Sequence, residues 1–264
     1  MSTKLQSFLS EILDTLDPFK DVITNVMIRE KDGEIKAAAK SRDGAISVEI
    51  TCKGDLPGFK EKACLGSLPF LRGALNSSLM KEGKIELTFG QASNGKDEVL
   101  RSALLTGKRG YNVFYRAIDP YVNKMNRIKL PPILEWPVAF AIDKEFISAF
   151  DDMYKVNALA PKTGSDRDDI FKLAFTGGSI EAIFGDNHHT ANVVLADIVE
   201  AKTKTEKTNA YFSISRFKAI LRLIGKGEAI GYLSENGLRV DTETKNAQYR
   251  FVTAAKKVKT SKSK

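Results

Sequence analysis

Cysteine is scarce in this chain: Cys52 and Cys64 are the only two among 264 residues. Two thiols cannot build a disulfide framework or a four-cysteine zinc site, and a reducing cytoplasm is the default compartment. Histidine is equally scarce. His188 and His189 are adjacent, and neighbouring strand residues point to opposite faces, so no metal site is expected even with Asp186 nearby. No apolar run approaches the ~20 residues that span a bilayer. The opening MSTKLQSFLSEIL has no uninterrupted apolar core followed by a small-residue cleavage site, so no secretory signal is expected. The phosphate-binding loop G-x-x-x-x-G-K-[ST], the G-x-S-x-G elbow and H-E-x-x-H are all missing. Asp151–Asp152 reads as a solvated helix face, Asp166 to Asp169 as a charged loop, and Gly177–Gly178 as a hairpin turn. Nothing in this inventory proposes a reaction. The expectation is a protein that is not an enzyme and needs no cofactor.

What is present is an ordinary globular composition, with 42% hydrophobic and 28% charged residues. A chain of this length can bury a sizeable core. The net charge is +8, but the last eleven residues, AAKKVKTSKSK, carry five lysines and no acid, and without them it falls to +3. A nucleic-acid surface on the body must therefore be a local patch. The tail itself reads either as a solubilising disordered end or as a nonspecific phosphate-binding arm.

Apolar periodicity organises the rest. Leu5, Phe8, Leu9, Ile12 and Leu16 predict an amphipathic helix over 5–17, with Pro18 just past its end. Strand-like runs VITNVMI, EIKAAAK and AISVEITC follow, divided by Asp-Gly turns, and FKEKACLGS is a fourth candidate. A second helix is predicted over 67–80, with Ser67 as its cap, Pro69 in its first turn and Leu68, Leu71, Leu75 and Leu79 on one face. KIELTF, EVLRSALLT and YNVFYRAI then read as strands. Four prolines and no period mark 119–137 as an extended connector. After it the order restarts: a strand (VAFAI), a helix over 143–155, strands IFKLAFT, SIEAIFG, TANVVLADIVE and AYFSI, a helix over 215–225, and strands EAIGYLS, GLRVDTE and AQYRFVTA. The expected fold class is α+β, with two similar domains, each carrying two helices packed on antiparallel sheets. The boundaries are 1–118, a connector 119–136, and 137–264 including the basic tail 254–264. The halves repeat in pattern, with little identity of sequence.

The helix over 215–225 carries the sharpest chemical signal. Phe217, Ile220, Leu221 and Ile224 share one face, while Arg216, Lys218, Arg222 and Lys226 lie around the others, and no acid falls between Ser213 and Lys226. Such a helix either tracks a phosphate backbone without reading bases or is an ordinary solvated face. Arg72 and Lys81 near the second helix, and Lys144 and Lys155 on the third, add to it. Asp151 and Asp152 dilute the third, and Glu11, Asp14 and Asp17 make the first helix acidic, flanked by Lys4 and Lys20.

Several segments, taken in order, resemble the two-domain DNA sliding clamps, as in proliferating cell nuclear antigen and the clamps of tailed bacteriophages. FLSEILDTL is similar to the first clamp helix, SLPFLRGALNSSLM with GKIELTF to the second helix and its strand, and VAFAIDKEFISAFDDM to the start of the second domain. The longest such segment is AYFSISRFKAILRLIGKGEAIGYLSENGLRVDTETKNAQYRFVTA. The basic charge and the lysine tail depart from the usual acidic clamps. The loose resemblance and short chain point to a bacteriophage or other viral clamp, placed in the host cytoplasm.

The resemblance implies a homotrimeric head-to-tail ring with helices inside. It would encircle duplex DNA, slide without sequence preference and tether a DNA polymerase during DNA replication, after loading by a separate clamp loader. The DNA-binding residues would be Arg72, Lys81, Lys144, Lys155, Arg216, Lys218, Arg222 and Lys226. Subunits would join through the edges Tyr111–Ile118 and Thr190–Ile198, with Tyr111, Val113, Tyr115, Val193 and Leu195 at the interface. Partner peptides would dock on Val122, Met125, Ile128, Leu130 and Pro131 of the connector and on Tyr249 and Phe251. Two alternatives stay open: a monomeric basic processivity factor of the same fold, and a nucleic-acid-modifying enzyme with an unrecognised site.

Overall fold

The computed structural model describes residues 2–31, 34–53, 59, 62–122, 135–160, 169–185, 190–201, 207–225 and 227–257. By internal contacts the chain forms two compact units, Met1–Leu130 with Thr244–Tyr249, and Pro131–Glu243 with Arg250–Lys264.

The first unit begins with α1 (Ser2–Leu16), whose Leu5, Phe8, Leu9, Ile12, Leu13 and Leu16 are all buried. Three- and four-residue spacing gathers these side chains on one face. Pro18 lies in a following 3-10 turn, Asp17–Phe19, where its missing N–H costs nothing. Strands β1 (Val26–Lys31), β2 (Glu34–Lys40) and β3 (Ile46–Cys52) form an antiparallel meander. The expected Asp-Gly turn joins β2 to β3: Gly44 takes φ 69°, and the Asp43 carboxylate accepts from Ala45 N at 3.0 Å. On the other side of β1 lies β4 (Lys62–Leu65).

The second helix departs from expectation. α2 spans only Leu68–Leu75, and a separate 3-10 turn covers Ser78–Met80. Gly73, Asn76 and Ser77 weaken the helix here, and the Ser77 hydroxyl accepts from Leu79 N, offering the backbone a local alternative. Ser67 does not cap α2 through its side chain; it sits in the left-handed region at φ 45°. The unit closes with β5 (Lys84–Gln91), β6 (Glu98–Thr106) and β7 (Asn112–Arg116), antiparallel with β6 in the middle.

The second unit repeats the order after a leading strand: β8 (Val138–Ile142), α3 (Lys144–Ala158), β9 (Ile170–Thr176), β10 (Ser179–Gly185), β11 (Thr190–Ala201), β12 (Lys207–Ser213), α4 (Ile214–Ile224), β13 (Ala229–Ser234), β14 (Gly237–Glu243) and, from Arg250 on, β15 (Ala247–Ala254). The strand order is β12-β9-β10-β11-β8-β13-β14-β15. Asp143 caps α3 by accepting from Phe146 N at 2.9 Å, and Ser213 caps α4 by accepting from Arg216 N.

The core of this unit is aromatic. Phe150 packs against Phe171, Phe184 and Phe217 with ring centroids 5.0–5.3 Å apart. Phe140 stacks on Phe146, and Phe212 borders Phe171. Gly231 on β13 makes room for this layer, because a Cβ there would meet the Phe140 ring at 2.4 Å. The core of the first unit is mainly aliphatic: Ile12, Leu13, Leu16, Leu71, Leu75 and Leu105 are all buried. No helix among the described residues is long and apolar enough to cross a membrane.

Candidate nucleic-acid interface and open strand edges

The basic side chains of the helices fall into two groups. Arg72 on α2 is engaged: its guanidinium meets Asp14 at 2.7 Å and Asp17 at 3.3 Å. The Asp14 hydrogen bond raises its pKa further above the ordinary arginine value. Lys155 on α3 pairs with Asp152 at 2.8 Å, which also raises its pKa. Lys218 on α4 lies 3.5 Å from Asp151 and 3.4 Å from the Tyr154 ring centre, and only 18% of its side chain is exposed. Arg216 is half-buried and makes contacts within the chain. In contrast, Lys81, Lys144 and Arg222 are exposed, and among the described residues none has an ion-pair partner. Lys226 lies outside the described residues.

The N-terminus of α4 does not offer an anion site. Asp169, expected to be part of a solvated loop, occupies it instead. Its carboxylate accepts from Ser215 N at 2.8 Å and from the hydroxyls of Ser213 and Ser215. A carboxylate at the positive end of the helix dipole is stabilising, and it excludes a phosphate there. No local sequence signal marks this role, because Asp169 is 46 residues from Ser215.

The acids of α1 are likewise taken up within the first unit. Glu11 accepts from Thr244, Asn246 and Tyr249, and burial first, then this bond, pushes the Tyr249 hydroxyl pKa up. Asp14 also accepts from Asn76 at 3.2 Å. The acidity of α1 therefore serves cohesion of the unit and restrains Arg72.

Among the described residues β5 and β12 end the strand order with one partner each, and two further edges are open: β7 pairs with β6 alone. In β11, residues 190–197 pair with β10 alone, and pairing to β8 is confined to 198–201. Each open run carries one prominently exposed apolar side chain, Phe114 at 67% and Val194 at 57%.

These are not the side chains the sequence suggested. Tyr115 is buried and its hydroxyl exchanges two 2.8 Å hydrogen bonds with the Gly66 backbone. Burial also pushes its pKa up to about 12. Leu195 is buried as well, and Tyr111 donates to Ala74 O at 3.2 Å. Val113 and Val193 are half-buried. The expectation took the inward phase of each strand; a shift of one residue exchanges faces. Asn112, Arg116 and Asn192, all exposed, mark the outward phase and could have identified Phe114 and Val194. Phe70 on α2, Val156 on α3 and Leu159 just past its end are also exposed, Leu159 at 86%.

The expected docking residues divide too. Val122 is exposed, while Tyr249 and Phe251 are buried within the chain and so are unavailable to a peptide. Residues on an inward-facing strand phase cannot double as a surface. Met125, Ile128, Leu130 and Pro131 lie outside the described residues, as do His188 and His189. Among the described residues no cluster of histidine, cysteine and carboxylate side chains could hold a metal.

No protein-family model matches the chain, and no curated protein matches it in sequence. Solved structures do match its fold. PCNA from Thermococcus kodakaraensis superposes with a TM-score of 0.64 at 15% identity, covering 95% of this chain and 97% of that one. A. fulgidus PCNA bound to the C-terminal region of FEN-1 gives 0.68 at 13% identity, with the same coverages. The PCNA2–PCNA3 complex from Sulfolobus tokodaii gives 0.62 at 12% identity, covering 97% and 98%. Across nearly its whole length, the chain has the α+β fold of the PCNA sliding clamps.

Proposed function

We propose that this chain is a DNA sliding clamp: a head-to-tail homotrimer that encircles duplex DNA, serves as a non-catalytic processivity factor for a DNA polymerase, and is placed on DNA by a separate clamp loader. The observation that carries this reading is the pair of open strand edges, β7 in the first unit and residues 190–197 of β11 in the second. They are different surfaces, so pairing one with the other on the next copy is heterologous and closes into a ring if the rotation allows. Phe114 and Val194 are then the apolar contacts that such an edge otherwise leaves wet.

The domains of this clamp would be 1–118 and 137–264 with the connector 119–136 between them. DNA would be gripped through phosphates by Lys81, Lys144, Arg222 and Lys226, with Arg72, Lys155, Arg216 and Lys218 as a reserve already committed to partners within the chain. Polymerase and loader peptides would dock on Val122 and on the connector residues Met125, Ile128, Leu130 and Pro131. Identity of only 12–15% to archaeal clamps fits a viral or bacteriophage source.

The test is mass in solution. Light scattering should give about three times the 29 kDa chain mass, and Phe114→Asp or Val194→Asp should each give a folded monomer, because a charge buried in an edge pairing has no partner. A wild-type monomer would replace the ring with a monomeric processivity factor held by charge alone.

A further inference from the structure

Two turns of the first unit meet beside the C-terminal end of α2. One runs through Lys81, Glu82 and Gly83 after the 3-10 turn Ser78–Met80; the other is the β6–β7 connection, Gly107 to Gly110. Their backbones interlock. A Cβ on Gly107 would lie 2.2 Å from Leu79 O, and one on Gly83 would lie 2.7 Å from Thr106 O. Side chains larger than hydrogen are excluded at both positions, which fixes the two turns against each other.

This platform presents cations. Lys81, Lys84, Lys108 and Arg109 are all exposed, and Lys84 is the Cα partner of Thr106, at the root of the second turn. Among the described residues Lys81, Lys84 and Arg109 have no acid partner. Lys108 pairs with the exposed Glu82 at 3.1 Å. Glu86, the next carboxylate on the Lys84 face, makes no ion pair among the described residues. Arg109 sits at φ 56° and Glu82 at φ 64°, in the left-handed region that non-glycine residues enter only against steric cost. Packing does not explain an arginine at that point, since its side chain is exposed.

We propose that this double turn is a second phosphate-backbone contact site for duplex nucleic acid, formed by Lys84, Lys108 and Arg109 beside Lys81; it rests on the clamp reading and extends the DNA grip beyond the residues assigned to it above. Exposed cations on a rigid support, three of them without an acid partner among the described residues, contact successive phosphates without reading bases. An acidic protein partner fits less well, because none of the exposed large apolar side chains that anchor peptides lies on either turn.

The test is Lys84→Gln combined with Arg109→Asn, since asparagine accepts the left-handed backbone and leaves the turn intact. Affinity of the assembled protein for a linear duplex is measured against salt concentration, beside wild type and Arg222→Gln. The log–log slope should become shallower by about 1.8, two contacts at ~0.9 each, with equal losses on unrelated sequences. An unchanged slope in the double variant, with Arg222→Gln flattened, would overturn this site and leave the clamp reading standing. A wild type with no salt-dependent DNA binding would overturn both.

Discussion

The two units share an architecture and differ in the chemistry that fills it. In the second, a layer of phenylalanines around Phe150 holds α3 and α4 on the sheet. In the first, α1 and α2 rest on leucine and isoleucine, and their polar faces are joined by Arg72 with Asp14 and Asp17. Shape and binary pattern are thus conserved between the units while residue identity is not, which is why the halves look unrelated letter by letter. The charge is arranged differently as well. Arg72 of α2 is held by Asp14 of α1 and by Asp17 just past it, and in the second helix pair Lys155 and Lys218 are held by Asp152 and Asp151 of α3 while Arg222 of α4 stands unpaired among the described residues.

The largest effect should come from the aromatic layer. Phe150→Ala should destabilise the second unit by about 3–5 kcal/mol, and Leu13→Ala the first by about 2–5. Trp136, the single tryptophan, reports the second unit, and labelling of buried Cys64 reports the first. Urea titrations followed by each probe should give the larger loss for Phe150→Ala; equal losses would remove the contrast between the cores.

A smaller effect tests the contrast in charge. Asp14→Asn with Asp17→Asn releases Arg72, so DNA binding should tighten and the salt slope should steepen by about 0.9, one added phosphate contact. Asp151→Asn should change it less, because Lys218 stays over the Tyr154 ring. Were both to act alike, the acids of α1 would not be restraining Arg72.

Much of this fold was legible in the sequence. Two-residue and 3.6-residue periods located most strands and all four helices, and Asp-Gly located the β2–β3 turn. The end of α2 was missed because Leu79 kept the helical period while Ser77 diverted the backbone. The site was less legible. Partner choice in an ion pair depends on residues distant in sequence, such as Asp14 with Arg72, 58 positions apart. Strand phase was readable from Asn112 and Arg116, whereas the burial of Tyr249 against Glu11, 238 positions away, was not.

Two finer measurements refine the first unit. Burial raises the Cys64 thiol pKa to about 12, so a thiol reagent at pH 8 should label the half-exposed Cys52 and leave Cys64 unreacted until the unit unfolds. Prompt labelling of both would contradict the packing around β4. Asp97 accepts hydrogen bonds from Tyr121 and Asn94 and pairs with Lys62, which hold its pKa at about 2. A carboxylate lowered on folding stabilises above its unfolded pKa of about 3.9 and loses that contribution as pH falls toward 2. Asp97→Asn should therefore lower stability slightly at neutral pH and flatten its decline between pH 4 and 2. An unaltered acid limb would mean this cluster contributes nothing to stability.

The central claim is topological, and one measurement addresses it directly: retention of the protein on nicked circular duplex DNA before and after a single restriction cut, at a salt concentration that abolishes simple charge binding. A closed ring should stay on the circle through gel filtration and run off once the DNA is linear. Equal retention on circular and linear DNA, or none on either, would contradict the account.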